Sequence, residues 1–577
     1  MLRLKFGLLL ISVVDLALVL SGCGSASGNA QGESGFTLSA SPGSVSIPQG
    51  GQGTSTITIT PAGGFNGSVA LSASGLPSGV TASFNPSSTA TSSVLTFTAS
   101  PTAPTPTVTV TVTGTSGSVT STATLTFTVY GPIQPGAFSH VVIIFQENRT
   151  PDNLFHDPAL IAEGADIAST GLSNESGTEQ TITLTPVSLV TSYDLGHSHQ
   201  AFLAACDYNP STNSCAMDGA YQNCAGSCPS AYQYVEASDV QPYFTMAETY
   251  TFGDRMFQTN EGPSFPAHQY ILSGTSAIEA TSTTSVANNP TNNARPDGSH
   301  WAGCLAPPGS EIEATDTSPG NNPATPLTTI TQLCFEHPTL TDLLDAANLS
   351  WKYYAASAGD IWTAPDAIQH MCVPSPAYPS ETSVCSGPDW TNPDPNVVIE
   401  GSKAQIITDI ANSQLAAVSW VIPTGSNSDH AGNSVDNGPS WVSSIVNAVG
   451  QSPYWQNTAV IVTWDDWGGW YDHQPPSSIR DSYEYGFRVP LIVIAGYARQ
   501  AYISHVNHDF GSILKFVEAV FDLGEINPAV GYADSRSDDL SDCFDFSQFN
   551  GFTQIEAPLK ADYFLNDKSP PTPPDDD

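Results

Sequence analysis

A chain of 577 residues is too long for one ordinary core, so its length alone asks for two or more domains. Its 54 Asp and Glu against 14 Lys and Arg give a formal net charge of −40. Such a surface argues against a DNA or RNA partner, because that binding rests on cationic side chains neutralising phosphates; it also has the plain effect of keeping an exported protein soluble.

The first segment reads as a processing signal. Arg3 and Lys5 precede an apolar run from Phe6 to Leu20, which is short for a spanning helix. Leu20, Ser21, Gly22 and Cys23 then resemble the lipobox of bacterial lipoproteins, which implies lipidation at Cys23, with residues 1–23 as the signal peptide. A lipid anchor would hold the protein on a membrane, so the expected localisation is exported, periplasmic or cell-surface. Residues 24–35, rich in Gly, Ser and Ala, read as a flexible tether.

Residues 36–130 are dominated by Ser, Thr, Val and Gly. Ser55 to Thr60 and Thr107 to Val112 alternate polar and β-branched residues with a period of two, the pattern of half-buried strands. Turn signals at Pro48 to Gly51, Gly63-Gly64 and Leu76 to Gly79 punctuate them. The segment resembles the Ig-like repeats of bacterial surface proteins, which implies an all-β sandwich; it carries no evident chemistry, and a spacer is its plainest role. Residues 131–137 form a linker of Gly and Pro.

The character changes at residue 138. His140 to Phe145, Ala416 to Ile422, Thr458 to Thr463 and Val489 to Ala495 are continuous apolar runs, expected of strands buried on both faces. Helical periodicity recurs at Asp239 to Thr249, Thr339 to Ala347 and Ser512 to Leu523. The alternation predicts an α/β region over 138–565, with a parallel sheet and helices on both faces; residues 566–577 read as a disordered acidic, Pro-rich tail. Beyond Cys23 there are nine cysteines. Neighbours in sequence suggest the pairs Cys206–Cys215, Cys224–Cys228, Cys304–Cys334 and Cys372–Cys385, leaving Cys543 free. Disulfides would agree with export.

The chemistry follows the strands. After the first run come Gln146, Glu147, Asn148 and Arg149; after the third, Asp465 and Asp466 with Gly468 and Gly469; after the second, Asp429 and His430. In an open parallel sheet these clusters would meet beyond the carboxyl ends of the strands. Carboxylates gathered there repel one another unless a cation joins them. Oxygen ligands favour Ca, Mg or Mn, although Zn also takes carboxylates, so one divalent metal ion of unspecified identity is expected. Each cluster alone has a duller reading as a helix cap or salt-bridge partner. Ser264, between Pro263 and Pro266 on a loop that the prolines stiffen, is the candidate nucleophile. It lacks the Gly-x-Ser-x-Gly elbow of the α/β-hydrolases.

The stretch His140-Val-Val-Ile-Ile-Phe-Gln-Glu-Asn-Arg-Thr-Pro-Asp-Asn-Leu-Phe155 resembles the opening motif of the bacterial phosphoesterase family, with Thr150 in place of the usual serine. Thr463-Trp-Asp-Asp-Trp-Gly-Gly-Trp-Tyr-Asp-His-Gln-Pro-Pro476 resembles its second signature, with Asp466 in place of a commoner glutamate. Gly486 to Pro490 and Ser512 to Glu518 match later landmarks. The resemblance implies an alkaline-phosphatase-like fold and phospholipase C or acid phosphatase activity. It implies a metal held by Glu147, Asn148, Ser264, Asp465 and Asp466, with Ser264 as nucleophile. It also implies a phosphate-contacting His197 and a leaving-group His430, with His337 as a further substrate-binding histidine. Ala267 and His268 depart from the Asn-Arg that usually follows the second proline, which bears on substrate preference. The expected partner is a phosphate ester, and a membrane tether, by placing the site near lipid, favours phospholipid; a catalytically inactive surface adhesin is the alternative reading.

Overall fold

A computed structural model describes residues 34–224, 229–294, 300–318, 320–376, 383–399, 404–476 and 483–572. The signal segment with Cys23, nearly all of the tether, Cys228 of the Cys224–Cys228 pairing and the last residues of the tail lie outside the described residues. Among the described residues, no helix is long and apolar enough to cross a membrane.

The N-terminal strands form two sheets. One orders Gly35–Ser41, Gln52–Ala62, Ser92–Ala99 and Val80–Asn85; the other orders Ser44–Pro48, Val119–Tyr130, Thr107–Ser116, Val69–Ser74 and Ser88–Thr89. Alternation decides which side chains go inside: Ile57 and Ile59 are buried while Thr56, Thr58 and Thr60 are exposed. Ile57, Leu95 and Phe97 from one sheet and Ile47, Val110, Val112 and Phe127 from the other share one core.

The larger region is built on a nine-stranded sheet among the described residues. Its order begins Val397–Ile399, Trp351–Ala355, Val418–Val421, His140–Gln146, Thr458–Trp464. It continues through Arg488–Ala495, Thr251–Phe257 and Tyr502–Ser504, with His508–Asp509 also paired to Thr251–Phe257. Every residue of the Thr458–Trp464 and Arg488–Ala495 strands is buried, which requires cover on both faces of the sheet. The helices Ala237–Thr249, Gln405–Ala411 and Gly438–Gly450 pack together, as do Ser264–Ser273, Leu340–Ala346 and Phe510–Phe521.

The expectation of a wholly parallel sheet needs one correction. Arg488–Ala495 runs antiparallel to both of its neighbours. A parallel neighbour needs a crossover of a dozen or more residues, usually a helix. Residues 465–487 contain no helix among the described residues, so the chain turns back along the same edge. An apolar run records burial but not direction.

Disulfides join Cys206–Cys215, Cys304–Cys334 and Cys372–Cys385, while Cys543 is a buried free thiol. The two regions touch where Arg499 Nη2 donates to the carbonyls of Thr105 and Val129, both at 3.3 Å, and where the hydroxyls of Ser46 and Tyr502 meet at 2.9 Å.

Behind this contact His508 is fully enclosed. Its Nδ1 lies 2.9 Å from Asp538 Oδ2, and its Nε2 lies 3.0 Å from Ser504 Oγ and 3.5 Å from Asp542 Oδ1. Burial alone would lower its pKa, but the carboxylates of Asp538 and Asp542 outweigh burial and raise it from 6.5 to about 9. Below the unfolded value the ring is charged in both states and the ion pairs contribute fully. Their contribution is lost as pH rises through about 9; a difference of this size is on the order of 3 kcal/mol. Urea unfolding between about pH 6 and 10 should therefore show wild-type stability falling toward alkali, with His508→Asn less stable at the acid end and flatter across the range. Parallel curves for the two proteins would show that His508 does not titrate with folding.

Candidate active site

The sheet brings the first two signatures side by side. His140–Gln146 and Thr458–Trp464 run parallel, with Gln146 opposite Trp464, so Glu147 and Asn148 emerge beside Asp465 and Asp466 at the same edge. The Asp465 N–H donates to Gln146 O at 2.9 Å. Asp465 Oδ1 accepts from the N–H groups of Asn148 (2.8 Å) and Asp466 (2.7 Å), and Asp466 Oδ1 accepts from Gly468 N–H (2.7 Å). Asn148 adopts φ +62°, a left-handed conformation that asparagine tolerates better than most residues. Gly468, at φ +59°, lies so close that an added Cβ would stand 2.3 Å from Asn148 O. The glycine permits this approach, and no other residue fits there without moving the asparagine.

Ser264 reaches the same place from another element. Rather than lying within a loop, it opens the helix Ser264–Ser273 behind Pro263. Proline suits a first helical turn because its missing N–H would be unpaired there anyway, so Pro266 does not interrupt the helix. Ser264 Oγ donates to Asp466 Oδ2 at 3.3 Å. Its position at the positive end of a helix dipole favours negative charge on or near the hydroxyl oxygen.

Asn148 also gathers two of the predicted histidines. Its Nδ2 lies 2.8 Å from His430 Nε2 and 3.3 Å from His197 Nε2. Each ring holds its other nitrogen against a backbone carbonyl, Ala431 O and Leu195 O respectively, both at 2.7 Å. These contacts hold a proton on each Nδ1 and point each Nε2 toward the amide and the carboxylates beside it. Burial would lower the His197 pKa, but the charges of Asp466 and Asp194 raise it to about 9.

The cluster is rich in unpaired acceptors. Both Glu147 oxygens, Asn148 Oδ1 and Asp465 Oδ2 are buried and accept no hydrogen bond. Burial, then the charge of neighbouring Asp465, pushes the Glu147 carboxyl well above the usual carboxylate range, and the same two causes act on Asp466. Buried oxygens of this kind ordinarily find a partner. Oxygen donors converging at full burial fit a divalent cation. Glu147, Asp465 and His268 each offer a ligand atom, all within 4.8 Å of one another.

Other candidate groups among the described residues are filled by protein partners: His508 as above, and the Asp152, Asp472 and His473 group by Arg488. Asp429, expected to converge with the other carboxylates, accepts through Oδ2 from Tyr243 OH (2.7 Å) and Trp464 Nε1 (3.0 Å). The ring of His337 contacts Pro338 O and Tyr532 rather than any member of the cluster, and burial pulls its pKa down to about 4. Its expected place among the substrate-binding histidines is not supported by these contacts. Trp362, which had no signal in the sequence, stands between the rings of His268 and His430.

Comparison with known proteins agrees with this geometry. Phospholipase C A of Mycobacterium tuberculosis is 22% identical over 451 residues, 71% of this chain and 77% of that protein. Hemolytic phospholipase C of Pseudomonas aeruginosa is 23% identical over 469 residues, 73% of this chain and 57% of that protein. Phospholipase C B of Mycobacterium tuberculosis is 29% identical over 163 residues, a match that spans 31% of that protein and 24% of this chain. A model of the Phosphoesterase family matches residues 138–524, a span that takes in both signatures, Ser264 and the two histidines beside Asn148. By that match, which covers more than half of the sequence, the chain belongs to the Phosphoesterase family.

Proposed function

We propose that the chain is a metal-dependent phosphoric ester hydrolase of phospholipase C type, acting through Ser264. The observation that carries this reading is the meeting of Ser264 Oγ with Asp466 Oδ2 at 3.3 Å beside four buried acceptor oxygens that have no hydrogen-bond donor. Glu147, Asn148, Asp465, Asp466 and Ser264 would hold one divalent ion. Such an ion would lower the pKa of the serine hydroxyl and neutralise charge on the phosphoryl oxygens.

The protein's own groups do the rest. Ser264 Oγ attacks phosphorus as its proton passes to Asp466 Oδ2, its hydrogen-bond partner, and the bond from phosphorus to the alcohol breaks. His430, protonated at the Nε2 that faces the site, gives that proton to the departing alcohol. His197 steadies the phosphoryl oxygens. Water then cleaves the Ser264 Oγ–P bond and frees the serine for another cycle. Activity toward a phosphodiester rather than a monoester is supported by the relatives, which are named phospholipases C.

The remaining assignments form part of the same proposal. Residues 138–565 constitute the catalytic domain, with the alkaline-phosphatase-like fold that the signatures imply. The β-region 36–130 is an Ig-like spacer that supplies no residue to the site. Export, with a lipid anchor at Cys23, would place the site near phospholipid; three disulfides favour an oxidising compartment.

Hydrolysis of chromogenic esters tests the reading. Phosphorylcholine diester should be cleaved faster than a phosphate monoester, and a chelator should abolish both activities until a divalent ion is restored. Hydrolysis of neither ester by folded, metal-loaded protein would favour the adhesin; preference for the monoester would favour an acid phosphatase.

A further inference from the structure

His268 lies in the second turn of the helix that begins with Ser264, and its ring is wholly enclosed. Phe145 meets it edge-on with ring centroids 4.8 Å apart, and Trp362 stacks at 6.4 Å, so the aromatic walls fix its orientation. Neither ring nitrogen has a hydrogen-bond partner. Nε2 nevertheless stands 3.3 Å from Glu147 Oε1, in a contact too poorly aligned to be a hydrogen bond. A buried imidazole normally secures at least one partner. Here the ring is aimed at the same space as the unpaired oxygens of Glu147 and Asp465.

Two atoms bound to one ion are held apart by its coordination angles. With ligand distances near those of zinc, neighbouring donors sit about 3.0–3.4 Å apart, and the separation of Glu147 Oε1 from His268 Nε2 falls in that range. We propose that His268 supplies an imidazole nitrogen to the metal ion at this site, so that the site selects a borderline transition ion such as zinc over calcium or magnesium. The inference rests on the proposed metal site and extends it: an all-oxygen set suits hard cations, and one imidazole moves the preference toward zinc or iron. It also accounts for the departure at Ala267-His268, where the ring of His268 faces the cluster rather than solvent.

Pulsed electron paramagnetic resonance of the full chain, stripped of metal and loaded with Mn²⁺, tests this directly. One strongly coupled imidazole nitrogen is expected in wild type and in His197→Gln, and none in His268→Gln. Competition should show a Zn²⁺ preference over Ca²⁺ that falls by at least about tenfold in His268→Gln, as much as losing an outer partner of a ligand commonly costs. Bound Mn²⁺ without nitrogen coupling in wild type would overturn the role of His268 and leave the metal site standing. Persistence of the coupling in folded His268→Gln would do the same. Failure of wild type to bind Mn²⁺, Zn²⁺ or Ca²⁺ would overturn both this inference and the proposed function. Because the wild-type spectrum alone can refute it, the outcome does not depend on whether the variant folds.

Discussion

Ser264→Ala is expected to lower turnover by about four orders of magnitude or more, the scale seen when a nucleophile is removed from a preorganised site, while leaving the fold and the bound ion in place. The substitution deletes one buried oxygen whose only hydrogen bond among the described residues, to Asp466 Oδ2, is long at 3.3 Å. Losing such a bond costs roughly 1 kcal/mol, and alanine is at home in a helix, so Ser264–Ser273 should form as before. Glu147, Asn148, Asp465 and Asp466 remain to hold an ion, so metal content should stay near one per chain. Measuring turnover, thermal unfolding and metal content on the same preparation separates chemistry from damage. Acid-quenching the wild type during turnover should trap a phosphoryl adduct on the peptide containing Ser264. Turnover close to wild type in folded Ser264→Ala would remove the serine from the mechanism and shift attention to an activated water.

Much of the site was readable because its parts are local. Apolar runs marked the buried strands, and carboxylates just after two of them were expected at one edge; Glu147, Asp465 and Asp466 do meet there. Gly468 stands beside the two aspartates in the sequence, and in the fold it lies against the Asn148 backbone. Thr150 stands where the motif usually has serine. It caps the helix Pro151–Leu154 by accepting from Asn153 N–H, a task either hydroxyl performs. What was not readable depends on partners remote in sequence. Asp429 could not be known to be occupied by Tyr243 and Trp464, since both come from other elements. His268 registered only as a departure from a pattern, because its unpartnered nitrogens are a property of the folded core. The reversed direction of Arg488–Ala495 leaves no trace in hydropathy.

The signatures also contain residues that stay away from the cluster, and these explain why the motifs are long. Arg488 is buried, and its Nε donates to Asp472 Oδ1 and Oδ2 at 2.9 and 3.1 Å. Its Nη1 donates to the carbonyls of Asp166 (2.8 Å) and Asp254 (2.7 Å), and its Nη2 to Asp152 Oδ1 (3.3 Å). Asp152 Oδ2 in turn accepts from His473 Nδ1 at 2.7 Å and from His473 N–H at 2.8 Å. The first signature, the second and the Gly486–Pro490 landmark are thereby tied by one buried ion network. Arg488→Met should destabilise the α/β region by about 3–5 kcal/mol, because enclosed Asp472 loses its counter-charge while its burial persists and Asp152 is left with His473 alone. Arg488→Lys should recover only part of that loss, since an ammonium cannot reproduce the planar fork that serves four acceptor groups. Adding Asp472→Asn to Arg488→Met should cost less than the sum of the single changes, as removing the second charge relieves what the first left stranded. Denaturant unfolding of the three variants and the double variant measures each term. An Arg488→Met protein within about 1 kcal/mol of wild type would mean that water or rearrangement compensates the carboxylates, and that the network does not hold the signatures together. If the network does hold them, the same variant should also lose turnover, because the loop that carries Asp465 and Asp466 would no longer be pinned against Asn148.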